Sequence, residues 1–136
     1  MKVNAYLHFN GDCEAALKFY EKHLGEEIEM LSTFEGSPAA ESAPADWGKK
    51  ILHARMALGD TVLLASDAPP GHYAKPQGFS ISLGMDTPED AECVFQALCE
   101  AGAVSMPMQL TFFAKRFGMV TDQFDIPWMV ICANPS

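Results

Sequence analysis

The chain repeats its own order of elements, and that repetition limits the folds open to it more than any other feature. Residues 3–9 alternate Val3, Ala5, Leu7 and Phe9 with Asn4, Tyr6 and His8, the two-residue period of a strand. A helix is predicted from Asp12, a good capping residue with Glu14 in the first turn behind it, to Gly25. Cys13, Leu17, Tyr20 and Leu24 line one face of it, widened by Ala16 and Phe19. A strand over 26–34 follows, then a hairpin of 50–58 and 61–66 turning at Gly59-Asp60, whose residue types suit a two-residue loop.

After a proline- and glycine-rich linker the order recurs. Residues 79–85 alternate Phe79, Ile81, Leu83 and Met85 with Ser80, Ser82 and Gly84. Thr87, Pro88 and Asp90 supply the cap, first-turn proline and acidic third position of a helix start. Ala91, Val94, Phe95 and Leu98 make its buried stripe, and Gly102 is predicted to end it. Strands near 103–106, 111–120 and 128–132 complete the copy. The predicted fold is α+β: two βαβββ modules, about 1–68 and 78–136 with a linker at 69–77, in one domain. One such half cannot easily cover its own sheet, so a curved, mostly antiparallel sheet around a shared cleft is expected. Residues 35–48, rich in Ser, Ala and Pro, are predicted to be a mobile loop.

Composition excludes several function classes. The 136 residues are 49% hydrophobic, with a mean hydropathy of +0.01, which argues against disorder. The formal net charge of −9 and the absence of a Lys/Arg cluster argue against nucleic acid and anionic membranes as partners. Cys13, Cys93, Cys99 and Cys132 form no CxxC pair, and buried reduced thiols are expected. No apolar run reaches signal-peptide or transmembrane length, so a soluble cytoplasmic protein is expected. No phosphate-binding glycine loop, nucleophile elbow or HExxH motif occurs.

The stretch most suggestive of a binding surface is QLTFFAKRFGMVTDQFDIPW, residues 109–128. Five rings are threaded with Gln109, Thr111, Lys115, Arg116, Asp122 and Asp125. Apolar area for affinity with a few polar groups for orientation is the composition of a ligand wall.

Together with YLHFNGDCEAALKFY and HARMALGDTVLLASDAPP, this tract resembles the vicinal-oxygen-chelate superfamily, which includes glyoxalase I, extradiol dioxygenases and bleomycin-resistance proteins. Within it the chain looks closest to the PhnB-like family. Two positions depart from that family's pattern: Phe113 stands where Trp is usual, and Asp125 where Gly is usual. Asp tolerates a positive φ better than most residues, so the turn at 125 is expected to survive.

The resemblance implies a homodimer, for which an open sheet edge on each half gives a physical reason. It also implies a divalent metal held on symmetry-related strands. Aligned without gaps on Phe19-Tyr20, the glyoxalase-type ligand positions fall at Ala5, near Leu63, near Ser80 and at Met129. Ala and Leu offer no donor and Met is too soft for a hard oxygen-type site, so no glyoxalase metal is expected. A divalent ion remains possible only at a displaced site. Some PhnB-like relatives bear a demethylubiquinone methyltransferase name, but no strand–GxGxG–helix cofactor site is legible here.

Expected ligand contacts are Phe9, Gln109, Thr111, Phe113, Trp128 and Met129. Gln109 and Thr111 either bond a ligand or satisfy strand ends, and Trp128 is either a stacking ring or a core ring. His53 belongs to the family's His-Ala pattern and is either a cleft histidine or a buried structural one. Asp67 either anchors the turn after its strand or serves the cleft mouth. A hairpin at Gly59-Asp60 brings His53 near Asp67, a candidate general base. His8 falls on the face opposite Ala5, as a surface histidine or a ligand. His23 complements the first helix dipole, and His72 is expected in solvent. The leading expectation is metal-independent binding of a small organic molecule. The alternative is a lyase- or dioxygenase-like enzyme using a displaced metal site or a His/Asp base.

Overall fold

The computed structural model describes residues 1–133. It divides into two compact units, Met1–Ala74 and Lys75–Ser136. The first contains β1 (Ala5–Phe9), α1 (Cys13–Leu24), β2 (Ile28–Thr33), β3 (Ile51–Leu58) and β4 (Thr61–Asp67). The second contains β5 (Ile81–Gly84), α2 (Pro88–Cys99), β6 (Ala103–Gln109), β7 (Ala114–Thr121) and β8 (Pro127–Ala133). The strand–helix–three-strand order therefore occurs twice, as the sequence predicts.

Each unit has its own four-stranded sheet, ordered β1-β4-β3-β2 in one and β5-β8-β7-β6 in the other. In each, the first strand joins the last in parallel, and the remaining junctions are antiparallel. The fold is α+β and glyoxalase-like. It is built from two separate sheets, because the first strand of each module finds its partner inside that module.

In the first unit the sheet is covered on one face by α1. Cys13, Ala16, Leu17 and Tyr20 are the buried side of the helix, and Leu7, Phe9, Ala54, Met56, Leu63 and Ala65 are the buried side of the sheet. Each large side chain fully removed from water there stabilises the unit by roughly 1.5–3 kcal/mol. Gly25 ends α1 at φ 75, a left-handed conformation open to glycine at little cost. Asp12 occupies the cap position without a side-chain cap bond. The first amide of the helix is instead taken by the distant Asp67 carboxylate. The hairpin of β3 and β4 turns at Gly59, φ 60, as predicted.

In the second unit the Thr87 side chain accepts from the Asp90 amide at 3.1 Å, and Pro88 opens the helix. Ala91, Phe95 and Leu98 are its buried stripe, and Val94 is half-buried. The helix end differs from the prediction. Ala101, not Gly102, takes the left-handed conformation, at φ 56. Gly102 is required for space instead: a Cβ there would lie 2.6 Å from the Thr121 carbonyl oxygen. Asp125 has φ 71, so the turn survives the loss of glycine.

Two further expectations change. Residues 35–48 contain two short 3₁₀ segments, Pro38–Ser42 and Ala45–Trp47. Trp47 packs edge-on against Phe34, with ring centroids 6.4 Å apart and Lys50 over its face. Cys13 and Cys132 are buried, but Cys93 is exposed, because the 91/95/98 stripe turns it to the outer side of α2.

Candidate functional site

The functional geometry of the first unit gathers at the carboxyl ends of β1 and β4. Alternation along these strands sends Leu7 and Phe9 towards α1 and leaves Tyr6 and His8 on the opposite, open face. The register places His8 beside Ser66 and Tyr6 beside Leu64. Beyond the strand ends lies a cavity of about 420 Å³, lined by His8, Phe34, Leu52, Ser66, Asp67, Ala68, Pro69 and His72. That volume is within the range of small-molecule sites, and the wall has the usual apolar surface with a few convergent polar groups.

Asp67 is the strut of this wall. It is 3% exposed, accepts the Cys13 amide on Oδ1 at 2.9 Å and the Ile51 amide on Oδ2 at 2.8 Å. One carboxylate thus fastens the start of α1 and the start of β3 to the end of β4. Burial, and then the negative charge of Asp67, Asp12 and Glu14, push the neighbouring Cys13 thiol far above its ordinary range. It stays a neutral core side chain rather than a nucleophile.

His53 takes a different partner. It pairs with Ser32 on β2, and its Nδ1 lies 3.1 Å from the Tyr6 hydroxyl. The Tyr6 ring also lies 5.0 Å from that of His8. Both oxygens of Asp67 serve backbone amides, so the structure joins His53 to Tyr6, not to Asp67.

In the second unit α2 covers the face carrying Val120, Trp128 and Val130. Trp128 is 0% exposed, and its indole N–H donates to Asp122 Oδ2 at 2.7 Å. Asp122 Oδ1 accepts the Phe124 and Ile126 amides at 2.8 and 3.0 Å. The opposite face of the sheet carries Gln109 and Phe117, which are register partners, and Met106, Met119 and Met129. Phe113 packs edge-on against Phe117, with centroids 5.1 Å apart.

A sequence profile of the glyoxalase/bleomycin resistance protein/dioxygenase superfamily matches residues 2–130. The chain belongs to that superfamily. It is 33% identical to Protein YjdN of Escherichia coli (strain K12), over 96% of this chain and 94% of that protein. Among solved structures it is similar to protein PA1353 of Pseudomonas aeruginosa, with a TM-score of 0.89 and 44% identity over 99% of each chain. A PhnB protein of Bacillus cereus shares the fold, with a TM-score of 0.83 and 24% identity over 98% of this chain and 100% of that one.

The superfamily's divalent metal does not fit the residues present. Ala5 and Leu63 are direct register partners, and neither side chain carries a donor atom for a metal, Leu63 being 1% exposed besides. Met129 is a thioether, a poor donor to a hard ion. Among the described residues no group of three or more His, Cys, Asp or Glu is arranged to hold a metal.

The ligand contacts expected from sequence are distributed unevenly. Phe9 and Trp128 are core rings with 0% exposure, each on the helix side of its sheet, so neither presents surface to a ligand. Thr111 closes the turn between β6 and β7 by accepting the Ala114 amide on its hydroxyl at 3.1 Å. Gln109, Phe113 and Met129 lie on or beside the open face of the second unit. Sequence reasoning missed Ser66, Phe34 and Leu52 as cavity lining; His72 is exposed, as expected, and also lines the cavity. The signal available was the apolar run before Asp67 opening into Ala68-Pro69-Pro70, where a strand must release its last side chains into a mouth.

Proposed function

We propose that the chain binds a small organic molecule in the first-unit cavity, without a glyoxalase-type metal. The observation that carries this reading is the wall itself: Phe34, Leu52, Ala68 and Pro69 supply apolar area, while His8, Ser66 and His72 supply directional groups. Four free cysteines suit the reducing cytoplasm as its location. The outer strands β1, β2, β5 and β6 end their own sheets and supply edges on which a homodimer can form.

Thermal denaturation against a panel of small organic compounds tests the binding. A ligand at a hundredfold its Kd stabilises the native state by about 2.7 kcal/mol, an easily read rise in Tm. Ser66→Leu, which fills the mouth of the cavity, abolishes that rise. A panel without any stabilising compound, or a rise unchanged by Ser66→Leu, rejects the site. Stoichiometric divalent metal in protein purified without chelators rejects the metal-independent mode.

A second reading, a lyase- or dioxygenase-like enzyme, is favoured by one observation, the Tyr6 hydroxyl 3.1 Å from His53 Nδ1 on the open face. A phenol–imidazole pair can relay a proton. Turnover of a bound compound, lost in His53→Gln with binding retained, selects this reading over simple binding.

A further inference from the structure

On the open face of the second unit, Met106 pairs directly with Met119 across β6 and β7, and Met119 pairs directly with Met129 across β7 and β8. Direct partners project to the same side of a sheet, so the three thioethers form one row. All three side chains are half-buried and within reach of solvent. We infer that this row is a binding site for a soft monovalent cation, copper(I) or silver(I).

The chemistry of the donors selects the ion. Thioether sulfur is uncharged, polarisable and soft; it discriminates against calcium, magnesium and other hard divalent ions and favours copper(I). The geometry allows convergence. Adjacent partners hold their Cβ atoms about 4.5–5.5 Å apart, which places Met106 and Met129 roughly 10 Å apart on either side of Met119. Three flexible, unbranched side chains can lean together over the central residue. A bulge between Met106 and Gln109 sends Met108 to the other face, where its Sδ lies 2.8 Å from the place a Cβ on Gly118 would occupy. The set is therefore three sulfurs, not four. The net charge of −9 favours any cation over an anion at this surface. The site shares Met129 with the last glyoxalase ligand position, but its other donors, its charge and its ion class are different.

Silver nitrate is the probe, because it mimics copper(I) without redox chemistry. Cysteine thiolates also bind it, so the full chain is prepared with Cys93→Ser and Cys99→Ser, which removes the accessible thiols. The readout is the set of methyl signals of the eight methionines in the ¹H–¹³C spectrum. One equivalent of silver is expected to shift the signals of Met106, Met119 and Met129, assigned by single Met→Leu variants. Met119→Leu, a volume-conserving change that keeps the fold, is expected to weaken binding by about tenfold or more. Met30→Leu on the first unit leaves it unchanged. The inference is overturned if silver moves none of the three signals, if it moves the exposed methionines equally, or if Met119→Leu binds as tightly as the parent.

Discussion

The Trp128 indole and the Asp122 carboxylate lie 2.7 Å apart in the second unit, with the ring wholly buried and the acid 3% exposed. The same acid receives the Phe124 and Ile126 amides, so one side chain holds the turn that feeds β8 and the largest ring beside it. Asp122→Ala leaves three donors without their acceptor and is expected to destabilise the protein by about 3 kcal/mol or more. Trp128→Phe leaves two of the bonds and costs about 1–3 kcal/mol from the lost donor and volume. Urea denaturation of both variants and of the double variant measures the coupling. Additive losses would mean that the pair is not the anchor described.

Ala101 and Gly102 are expected to respond in opposite directions. Ala101→Gly relieves a residue held at φ 56 and stabilises by roughly 0.5–1 kcal/mol. Gly102→Ala drives a methyl group to 2.6 Å from the Thr121 carbonyl oxygen and 3.0 Å from that of Leu98, costing about 2 kcal/mol or more. Thermal melts of the two variants decide the matter; a stabilised Gly102→Ala would contradict the close approach.

Cys13 gives the alkaline side of the stability curve a definite sign. The unfolded thiol ionises near 9.0, whereas burial and then the adjacent acids hold the folded one protonated to higher pH. Unfolding therefore releases a proton above about pH 9, and stability falls as pH rises through that range by up to about 1.4 kcal/mol per unit. Below pH 9 the contribution is fully present and constant. Cys13→Ala should flatten this limb in denaturant midpoints measured from pH 8 to 11. An unchanged slope would show that the thiol is not its source.

Asp67→Asn replaces one acceptor oxygen by an amide that faces a backbone N–H, at either Cys13 or Ile51. A loss of roughly 2 kcal/mol is expected, and a larger one for Asp67→Ala, which orphans both amides. Hydrogen exchange at the Cys13 and Ile51 amides reports the mechanism directly. Protection at both sites in Asp67→Ala would mean that other groups serve them.

What was legible in the sequence was what neighbours in the chain decide. Thr87 and Asp90 meet within one helical turn, Gly59 governs its own φ, and Asp125 is a single residue in a tight turn, so each followed from residue type. Asp67 was legible as a turn anchor or a cleft-mouth group, but its amide partners were not, because it meets Cys13 only across a sequence separation of 54. The strand register was equally hidden. Nothing local tells Ala5 that its partner is Leu63, the pairing that sets β1 beside β4. The cavity depends on where β1 and β4 stop relative to each other, which is a property of the sheet and not of either strand.

The parallel joint between β1 and β4 also fixes an order of events. The hairpin of β3 and β4 needs only the Gly59-Asp60 loop closed, whereas β1 must be brought back from the far end of its unit to a strand that already exists. On loop-closure entropy alone, docking of β1 is the expected late step of first-unit assembly. Until it happens the growing sheet shows β4 as a bare edge, the state in which a chain of this kind is most exposed to pairing with a neighbour instead of with itself.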